Sequence, residues 1–255
     1  MSQRVARLLH ITDTHLHASP AGRMRGVCTD ETMRAVLSRA MGNTDRPDAI
    51  LVTGDLVQDE TRGGYERLHE LLSGHDMPVY CLAGNHDAPA TMHDVLAESP
   101  FQVGGDVQLG NWSLILLDSH RAGDDGGLLS PAELSRTEDI LANGESSHYL
   151  ICVHHQVLPM GSRWLDGVGL RNGDELVDII DRSNNVRGVV WGHVHQASDR
   201  HRQGVRYLSS PSTCLQFLPN SDDFAVDDRP PGFRWLDLYA NGRIDSEVVW
   251  LESDE

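Results

Sequence analysis

Cysteine is scarce and unpatterned in this 255-residue chain: Cys28, Cys81, Cys152 and Cys214 stand far apart, with no C-x-x-C spacing. That spacing excludes a zinc knuckle and a disulfide framework. Cys81 and Cys152 fall inside apolar runs, where a small buried thiol is ordinary packing. Long apolar runs are also lacking, since none approaches the roughly 20 residues that span a bilayer. No charged-then-apolar leader precedes the first strand-like segment, so a soluble cytoplasmic protein with reduced thiols is expected. Basic residues are few, 21 against 38 acidic ones, for a net charge of −17 with the histidines counted neutral. That balance excludes the concentrated basic surface of a duplex-binding protein; neither nucleic acid nor a membrane is expected as a partner. An anionic small substrate stays open, because a pair of bound dications can reverse the potential inside a pocket. There is no G-x-S-x-G and no G-x-x-x-x-G-K-[ST], so an acyl-enzyme and a P-loop have no support.

What is present is an alternation of strand and helix signals over the first two thirds of the chain. Residues 6–12, 48–53, 79–82, 148–153 and 186–191 read as buried strands, and 107–109 with 112–118 as a hairpin about Gly110-Asn111. Helical spacing starts at Thr29 and recurs over about 62–72, 90–97 and 174–181. Ser130-Pro131-Ala132-Glu133 has the residue types of a capped helix start. Beyond His195 the pattern is β only: 197–202, 205–209, 233–239 and 243–250, with turns at Gly204 and Asn241-Gly242. The sequence predicts one α/β domain over 1–255, with an irregular flap at about 217–232 that either covers the site or meets a second copy in a homodimer. The acidic end, Glu252 to Glu255, reads as a solvated terminus.

Five short polar patterns follow the apolar runs in order: Asp13-Thr14-His15, Gly54-Asp55, Gly84-Asn85-His86-Asp87, His154-His155 and Gly192-His193-Val194-His195. Asp13 and His15 are two apart on what reads as an extended segment, so both side chains would face one way. A carboxylate and an imidazole there make half a site for a first-row metal. Each pattern has a bland reading: a chance Asp-x-His turn, a loop aspartate, a satisfied turn asparagine, a structural histidine pair. Five in order at strand exits do not share one, and strand carboxyl ends are where open α/β sheets gather function. Of the adjacent His154 and His155, at most one is expected to point into a given pocket.

The order D-x-H, G-D, G-N-H-D, H-H, G-H-x-H resembles the calcineurin-like metallophosphoesterase superfamily over residues 5 to about 216. Thr12 to Leu16, Gly192 to Gln196 and Pro211 to Phe217 resemble, more narrowly, its bacterial 3′,5′-cyclic-AMP phosphodiesterases of the CpdA type, as do Ser162 to Asp166, Leu170 to Asn172 and Pro231 to Arg234. The resemblance implies a four-layer α-β-β-α sandwich of two mixed sheets flanked by helices. It implies two divalent or mixed-valence metal ions, iron and manganese ahead of cobalt or zinc: Asp13, His15 and His195 on the first, Asn85, His154 and His193 on the second, and Asp55 bridging. The substrate, cyclic AMP, would meet His15, Asp55, Asn85, His86, His154 and His195. A hydroxide shared by the metals would attack phosphorus in line and release 5′-AMP, with His86 protonating the leaving oxygen. Two other readings stay open: a broader phosphodiesterase acting on glycerophosphodiesters or 2′,3′-cyclic nucleotides, and a catalytically idle scaffold. Asp87 is expected either to orient His86 or to cap the following helix. His17, Arg163, Trp164, Arg171 and Asn172 are candidates for the pocket wall. Gln156, where many relatives carry Pro, is expected to alter loop shape only.

Overall fold

The computed structural model describes residues 2–252, so Ser253 to Glu255 of the acidic end lie outside the described residues. Two six-stranded sheets dominate it. The first runs, in spatial order, Ile244–Trp250, Gly232–Tyr239, Arg4–Ile11, Ala49–Thr53, Val79–Leu82 and Phe101–Val103. The four strands from Arg4–Ile11 onward are parallel, and the two C-terminal strands join antiparallel. The second sheet runs Ser198–Arg202, Val205–Ser209, Val186–Trp191, His148–Val153, Trp112–Leu116 and Gly105–Leu109, parallel in the middle with an antiparallel strand at each edge.

The pleat explains why these strands are apolar throughout. Along Arg4–Ile11, Ala6 and Leu8 enter a core shared with Leu114, Leu150, Val190 and Leu208 of the other sheet. Leu9 and Ile11 face the opposite way, toward Met33, Val36, Leu68 and Leu72 of helices Thr29–Met41 and Arg62–Ser73. The second sheet repeats this arrangement, with Ile151 and Val189 packed against Leu176 and Ile180 of helix Gly173–Arg182. A strand buried on both faces has no polar alternation, and two such sheets face to face with helices outside make the four-layer α-β-β-α sandwich. Ser130 caps helix Pro131–Asn143 as its motif predicts, accepting from the Glu133 N–H at 3.1 Å.

Four features escaped the periodicity: strand Phe101–Val103, helix Arg163–Asp166, and the two-residue pairings of Arg23–Met24 with Val27–Cys28 and of Gln216–Phe217 with Val226–Asp227. None is long enough to repeat a pattern. Strand Arg4–Ile11 also ends one residue earlier than predicted, so Thr12 to His15 already belong to a turn. No helix among the described residues is long and apolar enough to cross a membrane.

Candidate metal centre

The parallel strands of both sheets deliver their polar exits to one place. Asp13 (φ 52°), His15 (φ 45°), Asp55 (φ 51°), His193 (φ 64°) and His195 (φ 45°) all adopt left-handed backbone. Residues other than glycine rarely do so, and the cost persists only where surroundings impose it. Here the turns impose it on each other: Asp13 N–H donates to Gly54 O at 3.0 Å, and His15 N–H to Asp55 O at 2.9 Å. Asp13 and His15 therefore converge because the chain has left the extended conformation, not because it keeps it. This corrects the expectation of an alternating segment.

Side-chain donors cluster accordingly. His195 Nε2 lies 3.4 Å from Asp13 Oδ1 and 3.1 Å from His15 Nε2, which is 3.8 Å from Asp55 Oδ2. His154 Nε2 lies 3.3 Å from Asp55 Oδ1 and 3.1 Å from Asn85 Oδ1. The far nitrogens orient the rings: His195 Nδ1 donates to Leu215 O at 2.8 Å and His154 Nδ1 to Thr53 O at 2.7 Å. Each Nε2 lone pair is thus turned inward, as outer hydrogen bonds do for metal-binding histidines. His193 Nε2 is buried with no hydrogen-bond partner. Converging lone pairs and a buried nitrogen without a partner fit a cation, and the N/O donor set suits a first-row metal. Asp13, His15 and His195 form one group whose ligand atoms lie within 4.8 Å of one another; Asp13 with Asp55 and His154, His15 with Asp55 and His86, and His154 with His155 and His193 form three more that overlap it or each other.

Charge points the same way. Burial pushes the Asp13 carboxyl up, yet neighbouring His195 holds it below its ordinary value; for Asp55, His154 does the same more strongly. Burial lowers His15 and His193 to about 3, leaving neutral imidazoles. His154 is raised to about 9, the Asp55 carboxylate overcoming burial. No arginine pairs with Asp13 or Asp55 among the described residues. Buried carboxylates need positive charge, and a cation supplies it without protonating the ligands. The approach is also close: a Cβ on Gly84 would collide with Asp55, and one on Gly192 with Thr12 and Asp13.

His155 corrects a second expectation. Its ring lies 4.8 Å from that of His154 and 4.7 Å from that of His193, so both neighbours reach the cluster. Strand His148–Val153 has ended before them, and the alternation that would part adjacent side chains no longer applies. His155 is nonetheless engaged at both nitrogens, by Ser119 Oγ at 2.8 Å and Asp125 O at 3.2 Å. Asp87 overturns both readings made of it. Its carboxylate accepts from the N–H groups of Leu56, Val57 and Gly84 and from the Tyr65 hydroxyl, and helix Pro89–Val95 has no side-chain cap. It ties the turn carrying Asp55 to the turn carrying Asn85. The partner of His86 is instead Gln58, whose Nε2 lies 3.3 Å from His86 Nδ1, while the His86 N–H donates to Asp55 Oδ1 at 2.9 Å. Gln58 carries no motif signal of its own; only its place three residues after Asp55 could have flagged it.

Above the cluster lies a cavity of about 510 Å³, walled by His15, Asp55, Asn85, His86, His193 and His195 on its inner side. Asp13 and His154, fully buried, do not line it. Its outer side is Arg23, Met24, Arg25, Trp164, Phe217 and Phe224. Of the wall candidates from sequence, only Trp164 is there. The Arg163 side chain, 75% exposed, pairs with Asp222; Arg171 pairs with Asp124; Asn172 bonds the Leu129 backbone; His17 sits by Asp59. Gln156 does more than alter loop shape, since its buried amide donates to Leu165 O at 2.7 Å and anchors helix Arg163–Asp166. His10, unremarked in the sequence, is fully buried between Thr53 Oγ1 at 2.8 Å and Ser210 Oγ at 2.6 Å and holds the two sheets' exits together.

A four-layer sandwich with a histidine and aspartate cluster at its strand exits defines the class, and the chain belongs to the calcineurin-like phosphoesterase family, whose model matches residues 6–197. It is 39% identical over 254 residues, 99% of this chain and 93% of the relative, to the 3′,5′-cyclic adenosine monophosphate phosphodiesterase CpdA of Vibrio vulnificus (strain CMCP6). It is 37% identical over 243 residues to the protein of that name from Escherichia coli (strain K12), covering 95% of this chain and 88% of the relative. Among solved structures, a dimetal phosphatase from Danio rerio shares the fold at a TM-score of 0.70 and 14% identity, covering 97% of this chain and 99% of its own.

Proposed function

We propose that this chain hydrolyses 3′,5′-cyclic AMP to 5′-AMP at a two-metal centre and so lowers a cyclic nucleotide signal. Asp13, His15 and His195 would hold the first ion and Asn85, His154 and His193 the second, with the Asp55 carboxylate available to both. The reading is carried by the convergence of these donors beneath the cavity, in a chain 34–39% identical to four cyclic-AMP phosphodiesterases from different bacteria. When bound, two dications supply Lewis acidity that draws charge from a phosphate oxygen and makes water nucleophilic near neutral pH. Iron and manganese are favoured over cobalt and zinc.

The chain's own part is positioning and proton transfer. The Asp13 and Asp55 carboxylates stay ionised and buried, and the neutral Asn85 oxygen completes the donor set without adding charge. His15, Asp55, Asn85, His86 and His195 face the substrate. The Gln58 side-chain amide, 3.3 Å from His86 Nδ1, steadies the ring, leaving Nε2 as the nitrogen from which an imidazolium His86 would pass a proton to the departing 3′ oxygen. The His86 backbone is tied to Asp55 Oδ1, so proton donor and bridging carboxylate keep one spacing.

Turnover of 3′,5′-cyclic AMP by the metal-reconstituted protein, with a chelator-treated control, tests this. Chelator-sensitive formation of 5′-AMP supports it. Turnover confined to bis(p-nitrophenyl) phosphate, with metals bound, moves the assignment to a broader phosphodiesterase.

A further inference from the structure

We infer that Trp164, Phe217 and Phe224 form a wall that takes the purine ring of the substrate by stacking, with Arg25 fixing its outer ring; this rests on the cyclic-nucleotide reading above. The three rings meet edge to face with centroids 5.2, 5.2 and 5.3 Å apart. All three line the cavity. They come from two separate segments, helix Arg163–Asp166 and the flap, so no local periodicity brings them together. Flat groups already stack at both ends of the wall. His195 lies parallel to Phe217 at 4.0 Å and 10°, and the Arg25 guanidinium sits 4.1 Å from the centre of Phe224. Phe224 remains 40% exposed beside the cavity, so the wall keeps an open ring, and the Trp164 indole N–H is buried with no acceptor.

Position gives the ligand class. The wall begins at the ring stacked on His195, a residue of the candidate metal group. In a cyclic nucleotide only the sugar separates phosphate from base, so a phosphate over the metal group brings its base to the next station, the aromatic wall. The cavity, about 510 Å³, lies in the range of roughly 300–1,000 Å³ that small-molecule sites occupy. Stacking a base on aromatic side chains is tolerant of base identity, and a purine offers the larger face. Arg23 and Arg25 put positive charge on the rim of a chain whose net charge is −17.

The test compares the binding of 5′-AMP and ribose 5-phosphate to the full metal-reconstituted chain by calorimetry, which needs no turnover. Wild-type protein is expected to bind 5′-AMP at least tenfold more tightly than ribose 5-phosphate. Phe224→Ala, at a half-exposed position, is expected to weaken 5′-AMP roughly tenfold and leave ribose 5-phosphate unchanged, with Phe224→Tyr restoring 5′-AMP. Trp164→Phe, which keeps a ring and removes the N–H, is expected to weaken 5′-AMP only. Equal wild-type affinity for the two ligands, no saturable binding of 5′-AMP, or an equal loss for both ligands in Phe224→Ala overturns the proposal. Base discrimination in a protein that does not hydrolyse cyclic AMP would sink the proposed reaction and leave the wall standing. Hydrolysis without base discrimination would do the reverse.

Discussion

The two ends of the cavity are built on opposite principles. The inner end hangs from short turns at the exits of fully buried strands, with five left-handed residues and cross-ties between every neighbouring turn. The outer end is a two-residue hairpin, a four-residue helix and a flap, with side chains such as Phe224 and Val226 left exposed. The inner end is over-determined, so one substitution there propagates to ligands on other strands. The outer end is assembled from independent pieces, and substitutions there are expected to act singly. Preorganisation for chemistry thus sits on the rigid sheets, and adaptation to the substrate sits on the loops.

Breaking the inner end at its centre gives the largest effect. Asp55→Ala removes the carboxylate between the two donor groups, and turnover should vanish with metal content falling from two toward one per chain, read by elemental analysis. Full activity at unchanged metal content would refute the bridging role. His86→Ala should cut kcat by roughly 10²- to 10⁴-fold with both metals retained, the range for losing a general acid. Normal turnover in that variant would remove His86 from the mechanism.

Asp87→Asn sharpens the comparison, because Asp87 touches no candidate ligand side chain yet joins two ligand turns. It leaves four donors facing an amide, and a stability loss of about 1–3 kcal/mol is expected from denaturant unfolding, together with a roughly 10- to 100-fold loss of activity or metal affinity. Unchanged metal affinity would mean the turns hold themselves. The smallest effect belongs to Arg163→Ala at the outer end. Its side chain is exposed and paired only with Asp222, so KM and kcat should shift less than about twofold and stability by less than about 0.5 kcal/mol. A large rise in KM would return Arg163 to the binding wall.

Much of the inner end was legible because strand exits announce themselves. An apolar run ending in Gly-Asp, Gly-Asn-His or Gly-His-x-His marks both the strand and the polar residue beyond it, and the main strands and helices lay within a few residues of their predicted spans. Illegible were features set by contacts between distant turns. Asp87 carries no sign in sequence that it serves the Leu56 and Gly84 amides, and Gln58 none that it faces His86. Arg163, Arg171 and Asn172 were candidates for the pocket wall by residue type, yet each meets a partner from a distant segment instead. Arg23, Arg25, Phe217 and Phe224 lie in stretches too short or irregular to show a period.

The succession of strands and helices along the chain, the burial of the central strands and the chemical types of the candidate ligands were determined by the sequence, because they depend on local patterning and on what a metal accepts. Which way those ligands point was decided only by the tertiary structure. Asp13, His15, Asp55, His193 and His195 owe their directions to left-handed turns held by hydrogen bonds from other strands, and the aromatic wall exists only where a helix and a flap, some 50 residues apart in sequence, meet over the same cavity.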